Sequence, residues 1–181
     1  QSYGLSQYAL EMVVRVLVLE LIPLAAALFG AVNATLPMAD EIRLLRKHGG
    51  FDRLRQRGLD PLASLVLPRL LAGVCAVLLL AALSCAVALV LAYLLAHGFS
   101  LGGLAQYTRT VGRVFTPSVS LIFALKVFLL GSAVAWIPLG TVLQAAPGSR
   151  SRASVELRGL VRLFLVVLLV ETAALVGNYY D

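Results

Sequence analysis

Three ionisable side chains fall well inside long apolar runs: Glu20 in "LELIPL", Lys126 in "LKVFLLG" and Glu171 in "LLVETAALVG". A charge at the centre of a membrane span costs about 2.5–3.5 kcal/mol on insertion scales, so such residues face a bundle interior or a wet cavity. Two chemistries fit these three. Lys126 can receive a lipid phosphate or another anion, with the carboxylates as polar lining. Alternatively, Lys126 pairs with Glu20 or Glu171 and the pair does no more than hold helices together. The residues alone leave both readings open. Enzymatic acid–base work has less to stand on, because no nucleophile or paired carboxylates sit at a readable spacing. His48 and His97 are isolated, and no G-x-S-x-G or H-E-x-x-H occurs. Without a G-x-x-x-x-G-K-[ST] phosphate loop, any ATP must be held by a separate protein.

The elements that carry these residues read as membrane helices. Of the 181 residues, 60% are hydrophobic and only 13% charged, and mean hydropathy is +0.93. Soluble domains are nearer half apolar and a quarter charged. About 20 apolar residues make a span, and four stretches qualify: residues 12–36, 67–96, 119–143 and 160–177. The expected fold is an all-α integral membrane protein forming a single transmembrane domain over residues 1–181. Cys75 and Cys85, on one helix, would stand roughly 15 Å apart, too far for a disulfide. Ala26, Gly30 and Ala34 place a small residue every four positions of the first span, which suits close helix contact.

The net charge of +6 is placed for a membrane and not for nucleic acid, since no RNA-reading motif accompanies it. Arg43, Arg46, Lys47, Arg53, Arg55, Arg57 and Arg69 follow the first span, and Arg150, Arg152 and Arg158 follow the third. The connection between the second and third has only Arg109 and Arg113. Ten basic residues against two put the first and last connections in the cytoplasm and the C-terminus outside.

Residues 40–66 are more than a loop. "ADEIRLLRKH" has helical spacing, Gly49-Gly50 interrupts it, and "FDRLRQR" resumes it. Gly58 suits a helix stop. Asp60 suits an N-cap with Pro61 at the first helical position. Pro68 is expected to kink or restart the second span, with Arg69 snorkelling to headgroups. This segment reads either as a basic helix on anionic lipid or as a docking helix for a cytoplasmic partner.

The order "LELIPL", "ADEIRLLRK", "FDRLRQRGLDP", "LVLPRLLAG", "LKVFLLG" resembles the MlaE permease family, membrane subunits of lipid-transporting ABC systems that work with MCE proteins. Glu20 and Pro23 match the family's R-E-L-G-P. Glu41 matches its A-E, and Asp52 its acidic residue after E-Q. Gly58, Asp60 and Pro61 match G-x-D-P; Pro68, Arg69 and Ala72 match P-R-x-x-A; Lys126 matches K-S-x-x-F. The departures are Leu19 for the family Arg, Ile22 for Gly, "FGAVNA" for A-G-R, Gly49-Gly50 for Glu-Gln, and Val127 for Ser. Leu168 stands where the family has an Asp before Thr172, with Glu171 a turn away.

The resemblance implies five membrane helices, of which these are the last four, so the natural start is expected to be missing ahead of Gln1. It implies a permease subunit moving phospholipid or a related lipid at the bacterial inner membrane. Its partners would be a second permease copy (homodimer or paralogue), an ABC ATPase that binds the ATP, and an MCE-domain protein. This chain itself would bind no cofactor or metal. Glu20, Lys126 and Glu171 would line the lipid cavity. Asp40, Glu41, Arg43, Arg46, Asp52, Arg53, Asp60 and Pro61 would couple to the ATPase, and Pro68 and Arg69 would anchor the lever at the membrane. An ATP-independent lipid scramblase or channel, and a structural membrane subunit, are the rival readings.

Overall fold

In the computed structural model, residues 11–99, 101–144 and 152–180 are described. They form helices, with no strand among them. Helix α1 spans Glu11–Lys47, α2 Gly50–Gln56, α3 Leu62–His97, α4 Leu104–Val114, α5 Pro117–Gln144 and α6 Arg152–Tyr180. Four of these, α1, α3, α5 and α6, are long and apolar enough to cross a membrane. Arg150, counted above in the last basic connection, and the side chain of Arg152 lie outside the described residues.

The first span does not stop near residue 36. It runs on as one helix through Pro37 to Lys47, so the first part of the 40–66 segment is a rigid extension of α1. Three π-helical stretches explain how the chain absorbs its prolines. They cover Val14–Leu21, Ala31–Thr35 and Leu62–Val66, and each ends two residues before a proline: Pro23, Pro37 and Pro68. A proline ring clashes with the carbonyl four residues back and offers it no N–H. Widening the preceding turn to i→i+5 moves that carbonyl aside, so the helix bends without breaking. Pro68 therefore neither stops nor restarts α3.

Ala26 and Gly30 point inward, and a strict four-residue repeat would continue with Ala34. Ala34 is only half-buried, and the stripe that continues through the π turn is Ala27, Ala31, Thr35 and Ala39. At Gly30 a Cβ would stand 2.6 Å from Val77 Cγ2, which is how closely α1 and α3 approach. Gly73, Val77, Ala81 and Cys85 face inward from α3 every four residues. The central core joins Ala27, Ala31, Val77, Leu130, Val134 and Val167 across α1, α3, α5 and α6. Leu79, Leu83, Leu121 and Leu169 remain more than 60% exposed, as expected where the surrounding solvent is lipid and small residues make the helix contacts.

The corner between α1 and α3 is set by glycines and a cap. Gly49 (φ 70°) and Gly58 (φ 74°) take the left-handed conformation. At Gly58 the N–H of Leu59 bonds to Leu54 O and that of Gly58 to Arg55 O, the paired closure that ends many helices. Asp60 then accepts the Leu62 N–H at 3.1 Å. Cys75 is exposed, Cys85 is buried, and both are free thiols.

Candidate functional site

Glu20, Lys126 and Glu171 come from three different helices and meet. Lys126 lies on α5 and is 3% exposed. Its Nζ is 2.5 Å from Glu20 Oε2 on α1 and 2.6 Å from Glu171 Oε2 on α6. It also donates to Leu19 O at 3.1 Å. An ammonium has three donors, and these three partners use them all.

The Leu19 carbonyl is available for a local reason. In an α-helix its donor would be the N–H of residue 23, and residue 23 is proline. The π-helical turn preceding Pro23 turns that backbone oxygen toward α5. The short "LELIP" stretch therefore supplies a carboxylate and a carbonyl to one ammonium.

On α6 the acidic group is Glu171. Leu168 is 53% exposed and faces away from the core, while Glu171 turns in. Its Oε1 is buried with no hydrogen-bond partner among the described residues. With both carboxyls ionised the cluster carries one net negative charge. Low dielectric strengthens attraction within such a group and raises the cost of removing one member. The cluster locks three helices to one point and leaves an acceptor oxygen unused.

The other sequence-nominated residues lie at the far, basic end, away from Lys126. Arg46 Nη1 donates to Val142 O (3.1 Å) and Leu143 O (2.7 Å), capping the last carbonyls of α5. Arg69 Nη2 pairs with Glu41 Oε2 at 3.2 Å, and its Nη1 donates to Leu65 O. Arg69 thus ties the α1 extension to the foot of α3. Asp40 and Arg43 line a cavity beside Pro138 and Thr141. Asp52 and Arg53 are exposed on α2, and Asp60 caps α3 ahead of Pro61.

The connection between the second and third spans carries an element of its own. Residues 104–114 form the amphipathic helix α4, with Leu104, Tyr107, Val111 and Val114 at helical spacing, a signal present in the sequence. Tyr107 is buried and donates to Leu89 O at 2.7 Å. Burial pushes its hydroxyl pKa up. His97 stacks on Tyr93 at 5.5 Å, with Tyr107 edge-on.

A bundle of four spanning helices, with ionisable groups buried between them and a charged corner at one end, defines a multi-pass membrane protein of permease type. The chain belongs to the MlaE permease family, whose model, described as "Permease MlaE", matches residues 1–176. No curated protein and no solved structure matches it. Family and fold together make it a transporter membrane subunit.

Proposed function

We propose that this chain is the permease subunit of an ABC transporter that moves phospholipid or a closely related lipid at the bacterial inner membrane. A separate ATPase would bind ATP and push on residues 40–58. A second permease copy, identical or paralogous, would complete the membrane part, and an MCE-domain protein would meet the outer face. The observation that carries this reading is the saturated Lys126 contact with α1 and α6. α1 is also the lever: it leads without interruption from Glu20 to Lys47. A force on its basic end is delivered to the helix that holds Lys126. Rigid-body switching of α1 against α5 and α6 would break or remake the cluster, alternating a lipid path between states.

The test is lipid transport with the reconstituted ATPase complex, comparing the natural protein with a Glu20→Gln/Lys126→Met/Glu171→Gln variant that removes the charges together. Assembly with retained ATPase activity and at least a tenfold loss of lipid movement is the expected result. Unchanged transport would end the latch role. Lipid movement without nucleotide would favour the scramblase, and loss of assembly alone a structural subunit. Orientation is checked separately in a Cys75→Ala/Cys85→Ala background. An impermeant maleimide should reach Arg55→Cys only from the cytoplasm and Arg109→Cys only from outside.

A further inference from the structure

A second feature stands apart from the ion cluster. A cavity of about 270 Å³ lies between α1, α5 and α6 at the basic end. Residues 126 to 138 of α5 put it roughly 18 Å from Lys126, at about 1.5 Å per residue. Its lining changes character along α1, from Val32 and Leu36 to Asp40 and then Arg43. Val142 and Leu160 complete the apolar walls. Val32 and Leu160 are 59% and 41% exposed, so the apolar part opens onto the outside of the helix bundle. At the other end, Arg43 Nη1 is buried with no hydrogen-bond partner among the described residues. Asp40 lines the same end of the cavity and has an interaction of its own.

We propose that this cavity binds an anionic membrane phospholipid, with a phosphate oxygen on Arg43 and the upper part of one acyl chain along Val32, Leu36 and Leu160. Buried donors in folded proteins are nearly always partnered, and a guanidinium presents forked N–H groups that fit phosphate oxygens. The polarity gradient along α1 is that of an amphiphile, apolar inside the membrane and charged at its edge, where Arg43 supplies the cation. The volume takes a headgroup phosphate and part of a chain, leaving the rest of the lipid in the bilayer. Membrane placement is all the site requires. It goes beyond the transport reading and survives that reading's failure.

The experiment follows the thermal unfolding midpoint of the full-length protein in a neutral detergent. Dioctanoyl-phosphatidylglycerol, dioctanoyl-phosphatidylcholine and inorganic phosphate are titrated separately. Phosphatidylglycerol should raise the midpoint saturably, while phosphate at the same concentrations should not. Arg43→Gln and Val32→Trp should each weaken the apparent affinity at least tenfold. Arg55→Gln, on the exposed face of α2, should leave it unchanged. Val32 is exposed, so its replacement blocks the chain slot without disturbing the core, and it decides the matter if Arg43→Gln does not fold. Retained response in Val32→Trp overturns the proposal, as does retained response in a folded Arg43→Gln. An equal response to phosphate identifies a free-anion site, and an equal response to phosphatidylcholine removes the anionic preference. Stabilisation by the partner ATPase and by none of these probes would give the pocket to a protein side chain.

Discussion

The two ends of α1 handle charge in opposite ways. Near Glu20, one ammonium is buried and every donor is used. Near Glu41, the pairing with Arg69 is a single 3.2 Å contact, with the carboxylate side chain 64% exposed. Both are salt bridges between helices, yet their physics differs. The buried group is held because separating it would strand a charge in low dielectric. The exposed pair competes with water and salt, and such pairs contribute little. The basic end of α1 is therefore held by Ile42 in its core cluster and by Arg46 on the α5 carbonyls more than by the Glu41–Arg69 pair.

The sharpest way to break this comparison is Lys126→Met. It leaves two carboxyls facing each other with no cation between α1, α5 and α6. Removing one partner of a buried pair costs about 3–5 kcal/mol in soluble proteins, and a loss of that order is expected here in unfolding measured in detergent. Adding Glu20→Gln and Glu171→Gln should recover most of the loss, because neutral groups no longer need the cation. If the single variant costs under about 1 kcal/mol on the scale of exposed pairs, the two ends of α1 are alike and the comparison fails.

Arg46 tests an intermediate case. Its guanidinium reaches the Val142 and Leu143 carbonyls at the end of α5, and hydrogen bonds involving a charged group contribute about 1.5–3 kcal/mol. Arg46→Ala should cost an amount in that range and fray α5, seen as faster amide exchange over residues 141–144. Arg46→Lys should recover only part, since a point charge cannot reproduce the fork. Unchanged exchange would mean that the carbonyls are satisfied by other donors.

Much of this was legible before any coordinates. Four apolar runs of spanning length are read directly from composition, and the MlaE resemblance rested on short local motifs that survive divergence. The ends of α1 were harder. "TLPMADEIR" looks like a span, a proline and a new helix, because one-dimensional reading treats Pro37 as punctuation. A π turn precedes Pro37 as others precede Pro23 and Pro68, but Pro138 lies inside α5 without one, so a proline alone does not announce the turn. Glu20, Lys126 and Glu171 were singled out by the cost of their burial. Their meeting depends on how α5 and α6 rotate against α1, which a single sequence does not encode locally. Arg43 was read as one of seven similar basic residues, and only packing distinguishes its buried nitrogen from the solvated charges of α2.

The smallest expected effect sharpens the comparison from the loose end. Glu41→Gln removes the Arg69 pair but leaves Arg69 bonded to Leu65 O, so Arg69 is not stranded. The cost should be below about 1 kcal/mol. At 1 M salt, where the screening length is about 3 Å, the difference between variant and natural protein should shrink toward zero. The Lys126→Met penalty should persist under the same salt, because ions do not enter a site that is 3% exposed. Measuring both variants at low and high salt therefore separates the two ends of α1 by physics as well as by magnitude. If the Glu41→Gln effect is large and independent of salt, the α1–α3 corner is a second fixed point. The lever would then have to bend between its ends, and the π turn at Ala31–Thr35 is where the helix is already widened to do so.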